Sequence, residues 1–165
     1  MKYRELYKRI MNFKQLLFLL LITLFPISFA ACQQSGFRQY FSDSTLRIDY
    51  YHTGNASNEI FSVDKMYVLP GWSTNPRKLI PDFDYGSFRY TVKNKANNEI
   101  LFISNYDCIF KEYQTTQPAI DGLNKTFHET ALVPFPKEEI IFCIEKRDSL
   151  HQFHEIFSLS VDPKD

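Results

Sequence analysis

The sequence predicts an all-β protein: an antiparallel, immunoglobulin-like β-sandwich of about seven short strands, following an N-terminal signal peptide. Three observations carry this. Period-two alternation recurs along the chain, most cleanly where Leu46, Ile48 and Tyr50 alternate with Arg47, Asp49 and Tyr51. Turn-forming clusters separate the alternating segments at short intervals, and nothing after the leader has the periodicity of an amphipathic helix. Aromatic residues make up 16% of the chain, nearly all of them Phe and Tyr, whose flat rings suit a pleated surface.

The 165 residues suffice for one domain and a removable leader. Leu16 to Phe25 is apolar, Lys14 precedes it, and Ser28-Phe29-Ala30-Ala31-Cys32 follows. A charged front, a short apolar middle and a small-residue exit describe a signal peptide over residues 1–31, with Met11 as an alternative start. The apolar run is too short for a comfortable membrane span. Two cleavages compete. Ser28-Phe29-Ala30 fits ordinary signal peptidase and a secreted product. Ala31-Cys32 fits a lipobox, in which Cys32 is acylated and holds the protein at the outer membrane or in the periplasm of a Gram-negative bacterium. Each buried methylene of an acyl chain contributes about 0.8 kcal/mol of membrane affinity. The membrane is reached only through that anchor.

Residues 32–36 form a short polar tether and residues 37–165 the sandwich. Phe37 to Phe41 is an aromatic lead-in. The strand around Leu46–Tyr50 stops at Thr53-Gly54-Asn55, a turn composition. Asn58 to Leu69 is a second strand of ambiguous inward face, ended by Pro70-Gly71. Ser73 to Tyr85, with Pro76 and Pro81, reads as an irregular connection. Phe88, Tyr90 and Val92 begin a hairpin whose polar loop is Asn94–Asn98 and whose second strand is Glu99 to Ser104. Cys108 to Tyr113 is either a strand end or one helical turn, and Gln114 to Lys125 a polar surface connection. Thr126 to Val133 is extended, Glu138 to Lys146 follows and is strongly apolar from Ile140 to Ile144, and Leu150 to Val161 places Phe153, Phe157, Leu159 and Val161 on one face. Ile48 and Phe157 are expected to be buried, Arg47 and Asp49 to form a solvent-side charge pair, and Cys143 to be a buried thiol.

Net charge is zero, which excludes an electrostatic case for nucleic acid. The four histidines invite a metal hypothesis. A zinc peptidase needs His-Glu-x-x-His on a helix, where both imidazoles share one face. His128-Glu129-Thr130-Ala131-Leu132 and His154-Glu155-Ile156-Phe157-Ser158 each lack the second histidine, and both lie in strand-like sequence. The histidines are therefore read as solvated, with no catalytic residue, no metal ligand and no cofactor expected. No Gly-x-Ser-x-Gly elbow or glycine-rich phosphate loop occurs. Trp72, the only Trp, is a candidate with Tyr67 and Tyr85 for a ligand-stacking or inter-domain surface. Asp43-Ser44-Thr45 and Asp148-Ser149-Leu150 resemble bacterial O-glycosylation sites at Ser44 and Ser149.

Phe37-x-x-Tyr40-Phe41-x-Asp43-x-Thr45-Leu46-Arg47-Ile48-Asp49-Tyr50 resembles the start of the N-terminal domain of the bacterial IgA peptidases, a zinc metallopeptidase family. The resemblance continues through Leu69-Pro70-Gly71-Trp72, Phe110 to Thr116, Leu132-Val133-Pro134-Phe135-Pro136-Lys137 and Val161 to Asp165. It implies a β-sandwich that precedes a catalytic domain not contained in this sequence. It also implies a non-catalytic accessory role, as scaffold or substrate-positioning module, with zinc only in that missing domain. The catalytic domain would be supplied in cis or from an adjacent gene. The alternative is a stand-alone surface lipoprotein module that binds a glycan or a host protein.

Overall fold

A computed structural model describes residues 35–165 together with Tyr3. The leader and the Cys32 expectation lie outside the described residues. After a short helix α1 (Ser35–Tyr40), seven strands follow: β1 (Phe41–Gly54), β2 (Glu59–Pro70), β3 (Phe88–Asn94), β4 (Ile100–Tyr106), β5 (Lys125–Pro136), β6 (Ile140–Arg147) and β7 (Phe153–Val161). They form two antiparallel sheets, ordered β2-β1-β5 and β4-β3-β6-β7. The all-β sandwich expected from the alternation is what the chain adopts. β1 lies at the centre of the smaller sheet, the place that the sixth strand takes in immunoglobulin constant domains.

Sandwiching follows from the inner faces. Leu46, Ile48 and Tyr50 of β1 are buried as the alternation predicts, and face Phe88, Val92, Phe142 and Ile144 of the other sheet. The outer face of β1 corrects the sequence reading. Arg47 is half-exposed, but Asp49 is buried. Its Oδ1 accepts hydrogen bonds from Arg47 Nε at 2.8 Å and Thr130 Oγ1 at 2.7 Å. Those two donors hold the Asp49 carboxyl below its ordinary pKa. A depressed carboxylate contributes stability above its unfolded pKa of about 3.9 and loses it as the pH falls through the folded value. Asp49→Asn should therefore show a shallower stability loss than wild type below about pH 4. Acid unfolding followed by circular dichroism tests this, and superimposable profiles would remove Asp49 from the acid transition.

β7 supplies a second correction. Ile144 pairs with Phe157, but the next residue, Glu145, pairs with Glu155, so Ile156 is bulged out of the register. A one-residue bulge reverses which face the following side chains take. Leu159 and Val161 share the inner face with Phe157, whereas Phe153 pairs with Arg147 outside, beneath the guanidinium groups of Arg89 and Arg147 at 4.3 and 4.5 Å. Phe157 is half-buried rather than buried, because β7 is an edge strand and the ring is covered mainly by Phe61 of β2, 5.7 Å away.

The segment Cys108 to Tyr113 resolves into a helical turn, α2 (Ile109–Tyr113), followed by α3 (Gln117–Ile120). Phe110 and Tyr113 of α2 and Ala119 of α3 make a small apolar cluster of their own, with Cys108 and Phe127 against it. This helical excursion is fastened to the β1–β2 turn. Asn55 Oδ1 accepts from Ser57 N and Asn58 N, while its Nδ2 donates to Asn124 Oδ1 at 2.8 Å and Gly122 O at 3.2 Å. Gln114 Nε2 donates to Asn55 O, and Ala56 N to Ala119 O. Gly54 permits the turn, since a Cβ there would lie 2.0 Å from Asn58 O. The fastening carries Cys108 to the end of β1.

Candidate functional site

His52 continues the inward register of β1, after Leu46, Ile48 and Tyr50, and is completely buried. The reading of all four histidines as solvated is thus overturned for this one, while His128, His151 and His154 are exposed. Its imidazole lies between the rings of Phe61 at 4.1 Å and Phe110 at 3.7 Å, with Phe88 edge-on at 5.9 Å. β1 pairs His52 with Phe61 on β2 and with Phe127 on β5. The two rim positions of the ring face carboxylates. Nε2 is 3.1 Å from Glu59 Oε2, and Nδ1 is 3.5 Å from Glu129 Oε2.

Each carboxylate has a second partner. Glu59 Oε1 is paired with Lys146 Nζ, which also contacts Gln114 Oε1 at 3.3 Å. Glu129 Oε2 accepts from the Tyr50 hydroxyl at 2.8 Å, and that hydroxyl lies 3.0 Å from Tyr90 Oη and 3.4 Å from Tyr106 Oη. Burial opposes the charged form of His52, but its interactions with Cys108, Glu129 and Glu59 outweigh burial and lift its pKa to about 10. Burial likewise works to raise Glu59 and Glu129, and their hydrogen bonds with His52, Lys146 and Tyr50 hold both carboxyls below the usual range. Burial pushes the Tyr50, Tyr90 and Tyr106 phenols up, that of Tyr90 to about 12. Metal-free, the centre is a chain of alternating charge from Lys146 through Glu59 and His52 to Glu129.

Cys108, at the start of α2, completes the group. It is half-buried and unbonded to Cys143, which is buried as expected in β6. One ligating atom from each of His52, Cys108 and Glu129 can be chosen so that all three lie within 4.8 Å of one another. Above them a cleft of about 280 Å³ opens between the sheets, lined by Tyr90, Tyr106, Cys108, Phe127 and Glu129 among others. Nitrogen, sulfur and oxygen donors in this mixture are the ligand chemistry of zinc. His52 Nδ1 makes no hydrogen bond of normal geometry, although it is fully buried.

The surface residues singled out from sequence do not converge on this centre. Trp72 turns inward, its ring on Phe37 at 6.5 Å and edge-on to Phe102 at 5.6 Å, while Tyr67 and Tyr85 stay exposed. The proposed three-ring surface is therefore divided, with its Trp serving the core. Tyr67 lies under the Arg47 guanidinium, 5.6 Å away. Ser44 donates to Asp43 O within β1, and Ser149 is exposed in the β6–β7 turn. Sequence reasoning missed His52, Cys108, Glu129 and Glu59. A signal existed for two of them: carried two residues past Tyr50, the inner register reaches His52, and counted back from Val133 and Ala131 it reaches Glu129.

Among comparisons with known proteins, residues 36–158 match the family described as Peptidase M64 N-terminus. No curated protein matches the chain.

Proposed function

Because the chain belongs to the Peptidase M64 N-terminus family, we propose that it is the non-catalytic accessory domain of an exported metallopeptidase and acts as the scaffold on which the catalytic domain seats. The observation that carries this reading is an uncovered piece of sandwich interior. Met66 and Val68 of β2 pair with Ile48 and Leu46, so they point to the inner side of the sheet. Yet they are 45% and 59% exposed, because the opposite sheet does not extend over them. They line a groove of about 450 Å³ with Leu46, Phe135 and Val161, walled by Asp162–Asp165. Contiguous exposed apolar surface of this kind marks an interaction site. A catalytic domain of the same family, in cis or from an adjacent gene, is the occupant that family membership favours.

Met66→Asp combined with Val68→Asp should weaken association with that catalytic domain at least roughly tenfold, as expected for loss of central apolar anchors. Calorimetric titration reads the affinity, and thermal unfolding of the variant checks that the sandwich is intact. Unchanged affinity would defeat the docking reading. The chain alone should leave immunoglobulin A intact on a gel after long incubation with zinc, and chelator-sensitive cleavage would defeat the non-catalytic one.

A further inference from the structure

We propose that His52, Cys108 and Glu129 form a zinc-binding site at the base of the cleft between β4 and β5, independent of any metal held by a catalytic domain. The geometry is close to what zinc requires. Zinc bonds nitrogen and oxygen at about 2.0–2.2 Å, so adjacent ligands on a tetrahedron stand about 3.3–3.5 Å apart. His52 Nδ1 and Glu129 Oε2 already stand at 3.5 Å. Cys108, half-buried at the start of a short helix, offers its sulfur within 4.8 Å of a ligating atom of each. Three protein ligands would leave a fourth coordination position for water or another ligand.

The surroundings match those of a metal ligand set. A ligating histidine ordinarily donates its other ring N–H to a carboxylate, which fixes the tautomer and aims the free nitrogen at the metal. Here Nε2 faces Glu59 at 3.1 Å, Lys146 holds Glu59, and the unpartnered Nδ1 is left for the metal. Glu129 is steadied in the same way by Tyr50. Phe61 and Phe110 clamp the imidazole plane. Charge closes as well. A divalent ion with one thiolate, one carboxylate and a neutral imidazole is neutral, and the Lys146–Glu59 pair beside it adds nothing net. Zinc takes the imidazole neutral and the sulfur as thiolate, so any protons on those ligand atoms leave as the metal binds, and no redox step is involved.

The sequence offered no such site because its local spacings carry none: the ligands come from β1, the start of α2 and β5. The test uses the whole purified chain, reduced, with zinc and cobalt(II) as probes. The wild-type chain should retain one equivalent of zinc through gel filtration, and its melting temperature should rise with added zinc. Cobalt(II) should produce a thiolate-to-metal charge-transfer band. Cys108→Ser, its fold checked by circular dichroism, should abolish the band, whereas Cys143→Ser should keep it. Glu59→Gln, which leaves the three ligands in place, should weaken zinc binding about tenfold or more. A folded wild-type chain that retains no zinc and shows no cobalt band overturns the proposal. So does a band that survives Cys108→Ser. Neither result bears on the docking groove, which Leu46 and Phe135 line at the opposite ends of β1 and β5 from His52 and Glu129.

Discussion

Replacing His52 by alanine should destabilise the metal-free protein by about 4 kcal/mol, the scale for removing one partner from a buried ion pair. Two effects act together. The Glu59 and Glu129 carboxylates lose the cation between them, and both are largely shielded, at 16% and 14% side-chain exposure. The space between Phe61 and Phe110 becomes a void whose lining loses its contacts, a cost that grows with residual cavity volume. Lys146 still neutralises Glu59 and the Tyr50 hydroxyl still donates to Glu129, which keeps the loss from being larger. His154→Ala is the control, because His154 is exposed and pairs with Asp148 at the surface. Its effect should be close to nil. Urea unfolding in the presence of a chelator measures both. A loss at His52 no greater than at His154 would show that the buried centre is energetically idle.

The second large effect belongs to the centre of the sandwich. Ile48→Ala should cost about 3–4 kcal/mol, within the range for a fully buried Ile in a core that cannot collapse around the gap. Ile48 is completely buried and held on both sides, by Met66 of β2 and Ala131 of β5, so the backbone has little freedom to close in. Phe157→Ala, although it removes more atoms, should cost less than Ile48→Ala, because the ring sits half-exposed on an edge strand. The same unfolding series ranks the two. An inverted order would mean that the β2–β7 edge, not β1, holds the sheets together.

The sequence by itself determined the class of fold, most of the strands and the inner face of β1. Each follows from local physics: alternation with period two demands one buried face, and Pro-Gly and Asn-rich clusters end strands wherever they occur. Resemblance over residues 37–165 also pointed to the correct family. What the sequence could not carry was decided by contacts between distant segments. The bulge at Ile156 follows from pairing with β6 and cannot be seen in the alternation of β7 alone, so Phe153 changed faces unannounced. Asp49 is buried on a nominally outer face because Thr130, from the neighbouring strand, covers and bonds it. The partial burial of Trp72 depends on Phe37 and Phe102, which lie far from it in sequence. The His52 centre is the fullest case. Alternation could place His52 and Glu129 on inner faces, but only the β1–β5 register sets them side by side. Cys108 reaches them from the end of β4, on a helical excursion that Asn55 fastens to the β1–β2 turn. A ligand set drawn from three separate elements has no spacing to read, because its geometry exists only once the two sheets have closed.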